Sequence, residues 1–170
     1  MSDTAIEPEN LIARHWLIEP VGFFSPHFTL RFGGETVATL KMSFWTEGCE
    51  FAIAGHQFAI RRVSLWKDGF QLVADDQPVC DVKRDFWSRV FNVSSVDAQW
   101  TLGPTGFFSR IYQLLDGERE LGTVRPVGWF TRGRVAEFAE EVPPPVQVLA
   151  IFLVLIVARR QQSHAGHGGS

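Results

Sequence analysis

The sequence predicts an all-β domain: a closed antiparallel barrel threaded by its own C-terminal hydrophobic α-helix. Three observations carry that expectation. From Val148 to Ala158 every residue is apolar, so a helix there has no polar face for water and must be enclosed by lipid or protein. Upstream, short alternating segments are separated by turn residues every 8–12 residues or so, roughly the spacing of a sandwich or barrel. The chain also holds 15 Phe and 6 Trp against 1 Tyr and 2 Met, and bulky aromatics on strand-like segments suit a wide all-β interior.

Residues 1–10 are polar and contain a proline, which predicts a flexible lead-in. A single domain is expected over 11–160. Ile12 to Glu19 is a candidate first strand. His27 to Phe32 then alternates, with Phe28, Leu30 and Phe32 on one face. Beyond Gly33-Gly34, Ala38, Leu40 and Met42 alternate against Thr39 and Lys41. A two-residue Gly-Gly loop pairs Phe28 with Thr39 and mixes the faces. A three-residue loop, Gly33-Gly34-Glu35, pairs Phe28 with Leu40 and Leu30 with Ala38, and is therefore expected.

Further hairpins are expected around residues 54–57 and 75–78. Strands follow near 89–93, 100–102, 111–115, 121–126 and 133–138, set off by Lys67-Asp68-Gly69, Gly103-Pro104-Thr105-Gly106 and Asp116-Gly117. No repeat is expected beyond the Phe-Ala-Ile segments at 51–53 and 58–60. Pro143-Pro144-Pro145 marks a helix start, since proline fixes φ and its missing N–H costs nothing in a first turn. The helix is expected over about 146–160, with Val148, Leu149, Ile151, Phe152, Leu153, Leu155 and Ile156 as the structural core. The tail 161–170 is low in apolar content and is expected to be disordered.

The apolar run is short for a membrane span. Thirteen residues, Val146 to Ala158, cover roughly 20 Å of helix against a hydrocarbon core of about 30 Å. A core helix is favoured, with a tail anchor through 146–158 as the alternative. Arg159-Arg160 suits either, at a helix C-terminus or at a membrane flank.

Net charge is −3, of the wrong sign for a general nucleic-acid binder. Residues 1–50 hold seven acids against three bases, 3 − 7 = −4, so the remainder carries −3 + 4 = +1. The opening residues are acidic without an apolar h-region, so a cytoplasmic domain is expected. Cys49 and Cys80 are expected as reduced, small hydrophobes.

Catalytic signals are lacking. His15, His27 and His56 are scattered, and there is no Gly-x-Ser-x-Gly elbow, P-loop or dinucleotide fingerprint. Asp75-Asp76 and Asp116-Gly117-Glu118 read as turns rather than calcium loops. Cys49 with His56 is too few ligands for zinc, and His164 and His167 lie in the tail. No catalytic residue, metal site or cofactor is expected.

The last third carries a familiar order of features. Leu121-Gly122-Thr123-Val124-Arg125-Pro126 is followed by Trp129-Phe130-Thr131-Arg132-Gly133-Arg134, then Glu137 to Glu141, the three prolines, and an apolar helix closed by Arg159-Arg160. With the 55–62 and 89–93 strands, this resembles the superfamily of Tubby C-terminal domains, phospholipid scramblases and LURP-one-related proteins, in its small single-domain bacterial form. The resemblance covers roughly residues 25 to 162. It implies about twelve strands closed around a central hydrophobic helix, and a habit of meeting membranes. The palmitoylated cysteine run of scramblases is absent, and no phosphoinositide-binding position of Tubby matches residue by residue.

Candidate head-group ligands are Arg61, Arg62 and Lys67, with Lys83, Arg84 and Arg89, if neighbouring strands bring them to one face. Asp68, Asp75, Asp76, Asp81 and Asp85 are interleaved with them, as on an ordinary mixed-charge surface. Trp66, Trp87 and Trp129 are candidates either for a bilayer interface or for the core. Three functions stand open at this point: a non-enzymatic module binding anionic phospholipid at a membrane surface, a soluble structural or protein-interaction domain, and a tail-anchored membrane protein.

Overall fold

In the computed structural model, residues 15–22, 25–43, 46–63, 69–85, 89–128 and 132–166 are described. Twelve strands pair antiparallel with their sequence neighbours, and the last pairs with the first to close the barrel. They are β1 (Trp16–Pro20), β2 (His27–Phe32), β3 (Glu35–Met42), β4 (Cys49–Ile53), β5 (His56–Arg62), β6 (Gly69–Ala74), β7 (Gln77–Arg84), β8 (Phe91–Ser94), β9 (Gln99–Pro104), β10 (Tyr112–Asp116), β11 (Arg119–Pro126) and β12 (Arg134–Phe138). The seam joins Trp16 to Ala136 and Ile18 to Arg134. Closure leaves no unpaired edge strand.

The first hairpin keeps the expected pairing, Phe28 with Leu40 and Leu30 with Ala38, but not by the expected loop. Phe32 pairs with Glu35 around a two-residue turn, Gly33-Gly34, with φ of 59° and 82°. Two successive positive φ values make the tight turn that matches strand twist. The register is recovered by a bulge: Arg31 faces Thr36 while Leu30 faces Ala38, so Val37 is the extra residue. The chain thus satisfies both the turn and the apolar face.

The bulge recurs. On β6–β7, Leu72 faces Cys80 and Val73 faces Pro78, leaving Val79 over. On β10–β11, Leu114 faces Gly122 and Leu115 faces Glu120, leaving Leu121 over. Val37, Val79 and Leu121 follow one another at intervals of 42 residues. A 21-residue period underlies this. Phe28, Cys49, Phe70, Phe91, Tyr112 and Arg134 start or nearly start the even strands, and all are buried. Two residues on, Leu30, Phe51, Leu72, Val93, Leu114 and Ala136 form a second buried layer. This corrects the expectation of no repeat beyond the Phe-Ala-Ile segments: five consecutive two-strand units, β2–β3 to β10–β11, are followed by a sixth in which β12 is completed by β1, keeping spacing and burial but not residue identity.

The lumen is filled by α1 (Pro144–Ala165), in which every residue from Val146 to Val157 is buried. Phe152 meets Phe70 edge-to-face with ring centroids 5.7 Å apart. Pro144 and Pro145 occupy the first turn, where absent N–H groups cost least. The helix is longer than the expected 146–160. Residues 161–165, expected to be disordered, are helical and exposed. The last turns are tied to the barrel: Arg160 Nη2 lies 2.6 Å from Glu47 Oε2, and Arg159 donates to the Ser43 carbonyl. By length and composition α1 could cross a membrane, yet two-thirds of its most apolar window is buried (67%). That apolar surface is already covered by protein.

Candidate functional site: the long-connection mouth

Antiparallel order makes the two ends of the barrel different. At one end five hairpins turn within two to four residues, at 33–34, 54–55, 75–76, 95–98 and 117–118. At the other, six connections of six or seven residues span 21–26, 43–48, 63–68, 85–90, 105–111 and 127–133. The chain enters α1 from the tight-turn end, so the helix C-terminus emerges through the long-connection mouth, where Arg159 and Arg160 reach Ser43 and Glu47.

Charge divides along the same axis. Among the described residues of the long connections, their bounding strand residues and the helix end, eight arginines stand against two acids. They are Arg62, Arg84, Arg89, Arg110, Arg132, Arg134, Arg159 and Arg160, against Glu47 and Asp85. The tight-turn end reverses the balance. Glu35, Asp75, Asp76, Asp97, Asp116, Glu118, Glu140 and Glu141 stand against Arg119, which is paired with Glu141 and Asp116. A small net charge therefore conceals an axial dipole.

Arg134 is the least expected member of this set. In the inner layer it stands where the other units place Phe28, Cys49, Phe70, Phe91 and Tyr112, and it is 5% exposed. Burial lowers its pKa, and the neighbouring Arg110 guanidinium lowers it further. Arg134 lines two grooves that flank the emerging helix. One is shared with Phe28, Met42, Arg132, Leu155 and Arg159. The other, about 190 Å³, is shared with Arg110, Tyr112, Val157 and Gln161.

Backbone carbonyls position the guanidinium groups: Arg132 donates to Ser25 at 2.8 Å, Arg134 to Gly133 at 3.1 Å, and Arg89 to Phe107. Ring faces assist, with Arg132 5.3 Å from the Phe28 centroid and Arg84 5.8 Å from that of Phe91. Burial raises the Tyr112 pKa, against the opposing pull of Arg89 and Arg84. Such an array can hold anionic oxygens by charge-assisted, forked hydrogen bonds.

The candidate ligands expected from sequence are split by this geometry. Arg62, Arg84 and Arg89 belong to the mouth. Arg62 and Arg160 share Glu47, with Arg62 Nη1 2.9 Å from its Oε2. Arg61 and Lys83 lie on the outer wall, because strand alternation turns them away from their mouth-facing neighbours. Arg61 shares a surface groove with Glu50, Asp75 and Asp76, with Nη2 3.4 Å from Asp76 Oδ1. Its cross-strand row runs through Gln71 to Asp81. The five of the six that are described do not form one basic face. Lys67, and Trp66, Trp87 and Trp129, lie outside the described residues.

Arg110, Arg132, Arg134 and Arg159 were missed as a group because they come from two connections, one strand and the helix. The 21-residue period was the signal that could have assembled Arg110, Arg132 and Arg134; Arg159, on the helix, lies outside it. Both cysteines are buried and unpaired with each other; burial raises Cys49 to about 12 and Cys80 to about 11, so neither is an activated thiolate. No group of three metal-ligating side chains occurs among the described residues. Comparison with protein-family models, with curated proteins and with solved structures finds no match.

Proposed function

We propose that this barrel is a non-enzymatic module that docks on anionic phospholipid at a membrane surface, with the long-connection mouth as its binding end. The observation that supports this reading is the axial charge division among the described residues, eight arginines to two acids at one end and one arginine to eight acids at the other. Near an anionic surface such a dipole orients the molecule mouth-first, and each added cation near the surface contributes about 1 kcal/mol. The likeness in feature order to Tubby, scramblase and LURP-one-related proteins leans the same way. Docking is peripheral, since α1 is occupied as the barrel core, and a cytoplasmic membrane face is the proposed location.

The test is co-sedimentation with vesicles of phosphatidylcholine alone and of phosphatidylcholine with phosphatidylglycerol, across a salt series. Pelleting is expected only with the anionic vesicles and should fall with salt. Arg110→Gln with Arg132→Gln should weaken it by about 30-fold, at about 1 kcal/mol for each charge. Arg61→Gln with Lys83→Gln, on the outer wall, should have a much smaller effect. Equal behaviour towards both vesicle types would overturn the reading.

A further inference from the structure

We infer that the long-connection mouth inserts aromatic side chains into the interfacial layer of the anionic bilayer, so that docking is wedge-like insertion rather than adsorption by charge alone. The inference deepens the function proposed above and rests on it. It starts from Phe107 and Phe108, in the connection between β9 and β10, which are 84% and 91% exposed. The rings meet edge-to-face with centroids 4.9 Å apart.

These rings are held outward by a braced loop. Thr105 N–H donates to the Ile111 carbonyl at 2.9 Å, and Ser109 N–H to Gly106 at 3.0 Å. The Thr105 and Ser109 hydroxyls lie 2.7 Å apart, and Arg89 of the neighbouring connection donates to the Phe107 carbonyl. Two phenylalanines fixed in water are costly unless something apolar covers them. Of the seven other exposed large apolar side chains among the described residues, Val21, Val63, Ile111 and Val127 lie in long connections, while Phe32, Val79 and Val96 lie towards the tight-turn end.

In the sequence, every long connection carries a bulky apolar pair, two aromatics in five of the six and Leu-Trp in the other. Phe23-Phe24, Phe44-Trp45, Leu65-Trp66, Phe86-Trp87, Phe107-Phe108 and Trp129-Phe130 recur at intervals of 21 or 22 residues. Of these pairs only Phe107-Phe108 lies among the described residues. Four of the chain's 6 Trp are among them, and Trp is a side chain suited to the bilayer interface.

Three adjacent connections add a cation at fixed offset: Phe86-Trp87-Ser88-Arg89, Phe107-Phe108-Ser109-Arg110 and Trp129-Phe130-Thr131-Arg132. Two aromatics, a hydroxyl and an arginine match the layered chemistry of a bilayer surface, acyl–glycerol boundary below and phosphate above. A second copy of this chain is the poorer occupant: mouth to mouth it would bring arginine to arginine, and head-to-tail, mouth against acidic end along the barrel axis, it would propagate without closing. Charge complementarity selects the anionic bilayer.

The experiment reads the intrinsic tryptophans of the full chain on phosphatidylcholine/phosphatidylglycerol vesicles carrying brominated acyl chains. Insertion predicts a blue-shifted emission and stronger quenching by bromine near the glycerol than by bromine near the chain end. Phe107→Ser with Phe108→Ser should lower partition on these vesicles roughly tenfold or more, while unfolding as cooperatively as the parent. Salt-sensitive pelleting without quenching, and with the double variant equal to the parent, would overturn insertion and leave the docking function standing. Absence of pelleting on anionic vesicles would overturn both. Self-association in sedimentation velocity that the double variant abolishes, without vesicle quenching, would assign the rings to a second copy and overturn insertion.

Discussion

Trp16 donates its indole N–H to Gln147 Oε1 at 2.5 Å, linking the first strand to the first full turn of α1 across 131 positions. Gln147 Nε2 in turn donates to the Val142 carbonyl at 2.7 Å. Gln147 is the one polar residue in the buried run from Val146 to Val157. It stands where the chain turns back into the lumen, and its two hydrogen bonds set the depth and rotation of the helix.

Gln147→Leu leaves the Trp16 N–H buried without an acceptor, at a cost of about 1–3 kcal/mol that added apolar burial offsets in part. Trp16→Phe removes the donor and strands Oε1 instead. The two changes are coupled, so the double variant should lose less than the sum, by about 1 kcal/mol. Urea unfolding of the four proteins measures this. Strict additivity would mean the hydrogen bond carries no net stability.

Much of this architecture could be read from residues 148–158. An unbroken apolar stretch too short for a bilayer, after three prolines and amid alternating segments, leaves few solutions other than a barrel core. Pairings such as Phe28 with Leu40 followed from keeping one face apolar. The bulge at Val37 did not, because a turn's preference for two residues and a sheet's preference for in-phase faces conflict, and only the bulge satisfies both. The candidate site was less legible. Arg61 and Arg62 are adjacent in sequence but face the outer wall and the mouth, whereas Arg110, Arg134 and Arg159 are distant in sequence and line the same groove or its neighbour. Adjacency in sequence was the wrong metric; for the barrel residues position within the 21-residue unit is the right one, and Arg159 joins them through the depth of the helix in the lumen.

Leu153 is completely enclosed between helix and barrel. Leu153→Asp places an unpaired charge there and should abolish folding, read as loss of the cooperative transition and appearance in the insoluble fraction. Phe152→Ala is the milder companion. It removes the edge-to-face partner of Phe70 and opens a cavity, costing about 3–5 kcal/mol while leaving a folded barrel. A soluble, cooperative Leu153→Asp protein would mean that α1 is not the core.

The turn between β6 and β7 is built from Asp75 and Asp76 at φ of 47° and 66°, a backbone that glycine adopts without strain. The corresponding turn between β2 and β3 uses Gly33-Gly34. Asp76→Gly should therefore stabilise the barrel by about 1 kcal/mol, raising the melting temperature by about 2–4 °C. The change removes an ion pair with Arg61, but that pair is exposed on both sides and contributes little. A lowered melting temperature would show that the ion pair outweighs the backbone strain.

Stability should decline at alkaline pH for a reason fixed by Cys49 and Cys80. In the folded barrel burial holds the thiols up to about 12 and about 11, against an ordinary value of 9.0. Between these limits the unfolded chain has released protons that the folded chain still holds. With fewer protons bound to the unfolded state, stability must fall as pH rises through about 9 towards 11, and be flat with respect to these groups below about 8. Buried Tyr112, with its pKa also raised, adds to the same slope at higher pH. Urea midpoints measured from pH 7 to 10.5 should show the decline, and Cys49→Ala with Cys80→Ala should flatten it while lowering the plateau through lost packing. Alkylation at pH 8 gives an independent reading: neither thiol should react until urea unfolds the barrel. Rapid labelling of the native protein would place a thiolate where burial forbids one.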